Sequence, residues 1–327
     1  MANRHRQRTL VVAARAATRP VRSIRVVVTC THRKRQSVPS SLRLRRVTGV
    51  RTPTRLRTWV ERLTTTSVPT TPAIDLYAGE HWDVARRLAN LSNADTSVEL
   101  WVCSAGYGLI PSAAPLLPYA ATFTPGSADS VPDGADGATA WWEALTSWEG
   151  PLPGPRSITD LVTADPESRV LLALSATYLR ACGNDVSRSL ERAQRSGQVS
   201  VISAGTKQNA ELADSLLPGD ARLQAAFGGT RQALNVRIAE HLLTAGVIDH
   251  NDMAEALAKM LVDQPALPRY ERQAATDAEV RKFIRNCLRA DPSATHTRLL
   301  REFRDDQRAC EQSRFAALFR SETRMPI

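Results

Sequence analysis

The chain has 327 residues, 43% of them hydrophobic and 23% charged, room for one large domain and a small accessory one. The net charge of +10 is unevenly spread: residues 1–62 hold seventeen Lys or Arg against one acid, Glu61, so the remaining chain is about −6. Such polarity fits an anionic partner whose condensed counterions basic side chains displace, or else a disordered solubilising arm.

Residues 1–22 read as a basic N-terminal arm, with Arg4, Arg6, Arg8, Arg15 and Arg19 among alanines and no apolar core of a secretion signal. The first strand is Ile24–Thr29, an unbroken β-branched run of the kind buried on both faces. It exits into the basic loop Cys30–Arg35, and residues 36–70, rich in Ser, Thr, Pro and Arg, read as an irregular surface excursion. Trp82–Leu91 has helical spacing. Val98–Ser104 is a second buried strand, ending at Gly106-Tyr107-Gly108. Residues 124–139 have no apolar period and read as a loop, after which Trp141, Trp142, Leu145 and Trp148 recur at helical spacing, as core more than as a stacking platform.

Val170–Ser175 and Gln198–Ser203 supply two further strands, and a Gly228-Gly229 turn leads into a helix from about Thr230. Strands alternating with helices predict an α/β fold over 23–262, a mostly parallel central sheet flanked by helices. A proline-containing stretch, 263–268, precedes a C-terminal helical module at 269–327. Its three short helices carry twelve Lys or Arg between Arg272 and Arg324, which suits either a helix-turn-helix-like duplex reader or a plain small bundle.

In parallel sheets ligands bind beyond the carboxyl ends of the strands. Those ends are Cys30–Lys34, Ser104–Leu109, Ser175–Tyr178 and Ser203–Lys207, all polar or glycine-containing, which predicts one shared site. No phosphate-binding GxxxxGK[ST] loop, GxGxxG turn, HExxH pair or GxSxG elbow occurs, and the six histidines lack metal-ligand spacing. Five cysteines (Cys30, Cys103, Cys182, Cys287, Cys310), odd in number and without a CxxC pair, point to reduced thiols in a cytoplasm. No eighteen-residue apolar run exists, so no membrane partner, and no metal or cofactor, is expected.

The segment Cys103–Phe123 (CSAGYGLIPSAAPLLPYAATF) resembles the SAxYGLxxP signature of the YaaA-like superfamily, which includes a peroxide-stress DNA-binding protein. Val27–Lys34, Asp75–Gly79, Leu174–Tyr178, Val201–Lys207 and Gly228–Asn235 resemble further family segments in the same order, spanning 24–245. The long insert at 124–139 and the arginine-rich arm depart from the compact pattern. The resemblance implies a positively charged cleft like that of uracil-DNA-glycosylase-like proteins, and hence a DNA-binding protein with glycosylase activity.

Within that expectation Asp75 assists glycosidic cleavage, as the paired acids of glycosidases do, or merely caps a turn, with Glu80 a weaker second carboxylate. Tyr107 stacks on an extruded base or packs beneath a loop, and Tyr119 is more often structural. Asn235 reads a base edge or ties down the glycine turn before it. Lys34, with Arg33 and Arg35, contacts phosphate, joined by Arg231 and Lys207. Ser104, Ser175 and Ser203 offer hydroxyls to phosphate or cap the turns that follow. Cys30 has no local histidine to activate it as a nucleophile. The expected partner is DNA, single-stranded or with a flipped base, the target being a damaged or phage-modified base in a repair or antiphage-defence setting. A non-catalytic DNA-binding stress protein and a tRNA base-modification enzyme acting on RNA are the alternatives.

Overall fold

The computed structural model describes residues 22–47, 52–93, 95–131, 135–204, 210–266 and 272–324. The expected basic arm, apart from Arg22, and Lys207 lie outside the described residues. The chain divides into two compact units at Pro265/Ala266, within the proline-containing 263–268 stretch.

The first unit is α/β. Its central sheet has five strands: β1 (Arg22–Thr29), β2 (Thr96–Ser104), β3 (Gly108–Pro111), β4 (Arg169–Ala173) and β5 (Val199–Ile202), in the order β3-β2-β1-β4-β5. All neighbours pair in parallel except β3, which folds back antiparallel on β2 with Val102 opposite Ile110. The central strand is flanked on both sides in register, Val26 lying between Leu100 and Leu171. Val26, Val27 and Val28 are all fully buried, so successive side chains on opposite faces are both covered. That is why these strands read as continuous apolar runs without alternation.

The helices are α1 (Thr52–Thr65), α2 (Glu80–Ala89), α3 (Ala135–Thr146), α4 (Ile158–Ala164), α5 (Ala176–Ala181), α6 (Gly183–Arg192), α7 (Leu234–Thr244) and α8 (His250–Val262). Helix α2 packs on β2 and against α7, which also covers β4 and β5. Helices α1, α3, α4, α5 and α6 form a second connected layer. β1 crosses to β2 in one direction and β4 to β5 in the other, so right-handed crossovers place α2 and the α5–α6 pair on opposite faces, while α1, also in the β1–β2 connection, joins the second layer. The β1 and β4 exits therefore form the topological switch point, the position at which α/β sheets bind ligands.

Residues 36–70 depart from the expected surface excursion. They contain α1, with Leu56, Trp59 and Leu63 buried on one face. The Trp59 indole N–H donates to the Gly106 carbonyl at 2.8 Å, so this helix braces the end of β2. Elsewhere, buried Asp185 holds the first turn of α4, accepting from the backbone N–H groups of Ile158 (2.8 Å) and Thr159 (3.0 Å) and from the Trp142 indole (3.0 Å). A carboxylate at a helix start satisfies otherwise orphaned donors and complements the helix dipole.

The second unit contains α9 (Asp277–Ala290), α10 (His296–Asp305) and α11 (Gln312–Arg324). Its core is Val280, Ile284, Leu299, Phe303, Phe315 and neighbours. Thr276 and Glu279 form the capping box of α9, and a two-residue parallel pairing joins Gln273–Ala274 to Arg308–Ala309. No described helix is long and apolar enough to cross a membrane.

Candidate functional site

The carboxyl edge of the sheet is assembled by three links, one between backbones and two made by side chains. Residues 33–35 run antiparallel to 76–78, with Arg35 N–H donating to the Leu76 carbonyl (2.8 Å) and Ala78 N–H to the Arg33 carbonyl (3.1 Å). This bridge sets Lys34 directly opposite Tyr77. Gly79, at φ 98°, then turns the chain into α2, a left-handed conformation that glycine adopts without strain. Glu80, the first residue of α2, reaches across to the 228–237 segment. It accepts from Thr230 N–H at 3.0 Å and pairs with Arg237 at 2.8 Å, contacts that hold its carboxyl below the usual range. Glu80 is thus a clasp between two loops.

Asn235 makes the third link. Its side-chain oxygen accepts from Ala204 N–H at 2.9 Å, and its amide donates to the Leu174 carbonyl at 2.7 Å. It stitches the exits of β4 and β5 together. That replaces the expected base-reading amide: both of its polar atoms already hold backbone groups that would otherwise be unsatisfied.

Beneath the Lys34–Tyr77 bridge lies a buried hydroxyl network. The Tyr77 and Tyr119 hydroxyls are 2.9 Å apart, and Tyr119 is 2.7 Å from Ser104 Oγ. Ser104 Oγ also accepts from the N–H groups of Gly106 (3.2 Å) and Tyr107 (3.1 Å), so this hydroxyl organises the β2–β3 turn and is not free for phosphate. Burial raises the pKa of Tyr77, Tyr107 and Tyr119. Gly106 is required sterically, because a Cβ there would lie 2.4 Å from the Tyr119 ring.

Lys34 is the cation of this network. Its ammonium sits over the Tyr119 ring at 4.3 Å and the Tyr77 ring at 5.1 Å, and donates to the Thr31 carbonyl at 2.5 Å. No carboxylate pairs with it among the described residues. The nearby buried acid, Asp129, is held by Arg45 at 2.8 Å. Burial lowers the Lys34 pKa to about 8, opposed by Cys30 and Asp129. Cys30 is buried at the same exit, 3.1 Å from the Tyr178 hydroxyl, and Cys103 lies 3.2 Å from Cys182.

Around this centre His32, Arg33, Arg35 and Arg231 are exposed, with no side-chain partner among the described residues. Asp75 is exposed in the single helical turn Ala73–Leu76, two residues from Tyr77, likewise without a partner. Tyr107 is buried, its ring 5.2 Å from Tyr119 and 5.9 Å from Trp148 and its hydroxyl on the Leu117 backbone at 3.0 Å. It packs beneath the loop and presents no stacking face to a base. Ser175 caps α5, and Ser203 is buried. Buried Arg156, bonded to the carbonyls of Tyr107, Leu109 and Trp148, supports the turn from below.

Two groups at this edge had no sequence signal. His81 is buried in α2, against the carbonyls of Thr29 and Gln232, and burial drops its pKa to about 4. Asp129 lies in the stretch read only as a loop. Surface cavities among the described residues include about 500 Å³ along the Glu149–Arg156 loop, about 380 Å³ beside Phe227, Arg237 and His241, and about 300 Å³ beside Arg169, Asp249 and His250 at the opposite end of β4. Arg156 walls the first and Arg237 the second, while Lys34, Tyr77 and Tyr119 line none of the three. No group of His, Cys, Asp and Glu among the described residues is arranged to hold a metal ion.

Comparison of the chain with protein-family models, with curated proteins and with solved structures returns no match.

Proposed function

We propose that the chain acts on nucleic acid at the carboxyl edge of its sheet, as a DNA glycosylase that removes a modified or damaged base. The observation that carries this reading is Lys34, an amine without a carboxylate partner, set over two tyrosine rings at the switch point formed by the β1 and β4 exits. Exposed Arg33, Arg35 and Arg231 supply cations to phosphates at the same edge. The segments Cys103–Phe123 and Asp75–Gly79, which carry the YaaA-like resemblance, both contribute to this network through Ser104, Tyr119 and Tyr77.

The experiment incubates the full chain with normal and base-modified DNA and treats the products with alkali, which cleaves strands at base-free sites. Strand breaks confined to a modified substrate are expected. Intact strands on every substrate remove the enzymatic reading. A second reading, a non-catalytic DNA-binding protein, is favoured by Asp75, whose carboxylate touches no member of the Lys34 network. Retained, salt-sensitive DNA binding without base release is its signature.

A further inference from the structure

We infer that Lys34 is a covalent nucleophile, its amine adding to C1′ of a deoxyribose in DNA to form a transient imine. The inference rests on the glycosylase reading and names the group that attacks. The geometry sets Lys34 apart from the other cations of this edge. Arg33, Arg35 and Arg231 are exposed guanidiniums, always charged and without nucleophilic character. Arg237 and Arg45 are neutralised by Glu80 and Asp129. Among the described residues Lys34 alone combines a half-buried position, no ion pair and a wall of aromatic rings.

An ammonium in such surroundings loses its proton more readily, because the desolvation of its charge outweighs what the Thr31 carbonyl, the ring faces, Cys30 and Asp129 return. The groups facing it are Tyr77 from the 76–78 strap, Tyr119 beyond β3, Cys30 on its own loop and Asp129, already engaged by Arg45. The amine is correspondingly held near a pKa of about 8, so a substantial neutral fraction exists close to neutral pH.

The step balances without an oxidant or a metal. The nitrogen lone pair attacks C1′ while the N-glycosidic bond breaks, and the base leaves with the bonding electrons. One amine proton ends on the departing base. The sugar ring then opens, the C1′–O4′ electrons go to O4′, and the second amine proton goes with them, leaving a C1′=N imine. Water hydrolyses the imine, restoring the amine and releasing the base-free aldehyde. With a base-free site as starting material, the same amine condenses with the aldehyde and expels water.

The test adds sodium borohydride to the full chain with two DNAs, one carrying the modified base that it releases and one carrying a base-free aldehyde site. Hydride delivery to C1′ turns the imine into a stable secondary amine, a protein–DNA adduct visible on a denaturing gel. We expect adducts that map by peptide mass to Lys34, that vanish in Lys34→Ala and Lys34→Arg, and whose initial yield rises about tenfold between pH 7 and pH 9, following the neutral amine. Circular dichroism of Lys34→Arg, which keeps the charge over the rings, separates loss of chemistry from loss of fold. Base release without any adduct overturns the inference and leaves the glycosylase reading standing. An adduct that persists in Lys34→Ala, or maps elsewhere, also overturns it. Adducts at Lys34 on the base-free site without base release support the amine's role and overturn the glycosylase reading instead.

Discussion

The two units treat ionisable groups in opposite ways. At the sheet edge of the first unit, Lys34, His81, Tyr77 and Tyr119 are pressed into apolar surroundings with no opposite charge paired to them. In the second unit Arg298, Arg308 and Arg314 are matched with exposed acids, and Arg281 and Arg285 share the more buried Glu322. The first arrangement costs stability and perturbs protonation, which is the pattern of a working site. The second is the solvated pairing of an ordinary helical surface, contributing little and changing little with pH. The richer supply of arginine is therefore not where the chemistry gathers.

The contrast is sharpest in acid. Burial holds the His81 pKa near 4, below the ordinary 6.5, so the unfolded chain takes up a proton first as pH falls. Stability is fully present above about pH 6.5 and declines as pH drops towards 4, by about 3 kcal/mol. Denaturant titration should find that Lys- and Arg-independent loss in the wild type and a shallower decline in His81→Leu. Equal slopes for the two proteins would break the comparison.

Next in size is Gly106→Ala. The added Cβ collides with the Tyr119 ring, and we expect a loss of about 1–3 kcal/mol, read as a lowered melting temperature. An unchanged melting temperature would mean that the tyrosine network is not tightly fixed. A smaller effect falls on binding. Removing the exposed guanidiniums in Arg33→Ala/Arg35→Ala should weaken DNA affinity about tenfold and flatten its dependence on salt concentration by a slope of roughly 1–2, measured by fluorescence anisotropy. Smallest of all, Glu302→Gln removes the exposed partner of Arg298 one helical turn away, and should change stability by about 0.5 kcal/mol while leaving DNA affinity alone. A loss of affinity there would move the nucleic-acid surface to the second unit.

Much of the fold was legible because its strands are buried on both faces, so β1 and β4 stand out as runs such as IRVVVT and VLLAL whatever surrounds them. Helix α1 was not, since Thr and Arg dominate its composition and hide the stripe of Leu56, Trp59 and Leu63. At the site, the position of Lys34 at a strand exit could be read locally, and so could the convergence of polar exits on one edge. Its burial could not. The rings that cover it come from Tyr77 and Tyr119, far along the chain, and Asn235 and Tyr107 turned out to be committed to backbone by partners equally distant.

The amino-acid order by itself determined the parallel sheet, its helical layers and the edge at which polar residues collect, because periodic burial is a local property repeated along each element. Only the tertiary structure decided which of those polar residues are free and which are fixed. A side chain's protonation and availability depend on the desolvation and hydrogen bonds provided by neighbours from other segments, and these exist only once the strand exits have come together.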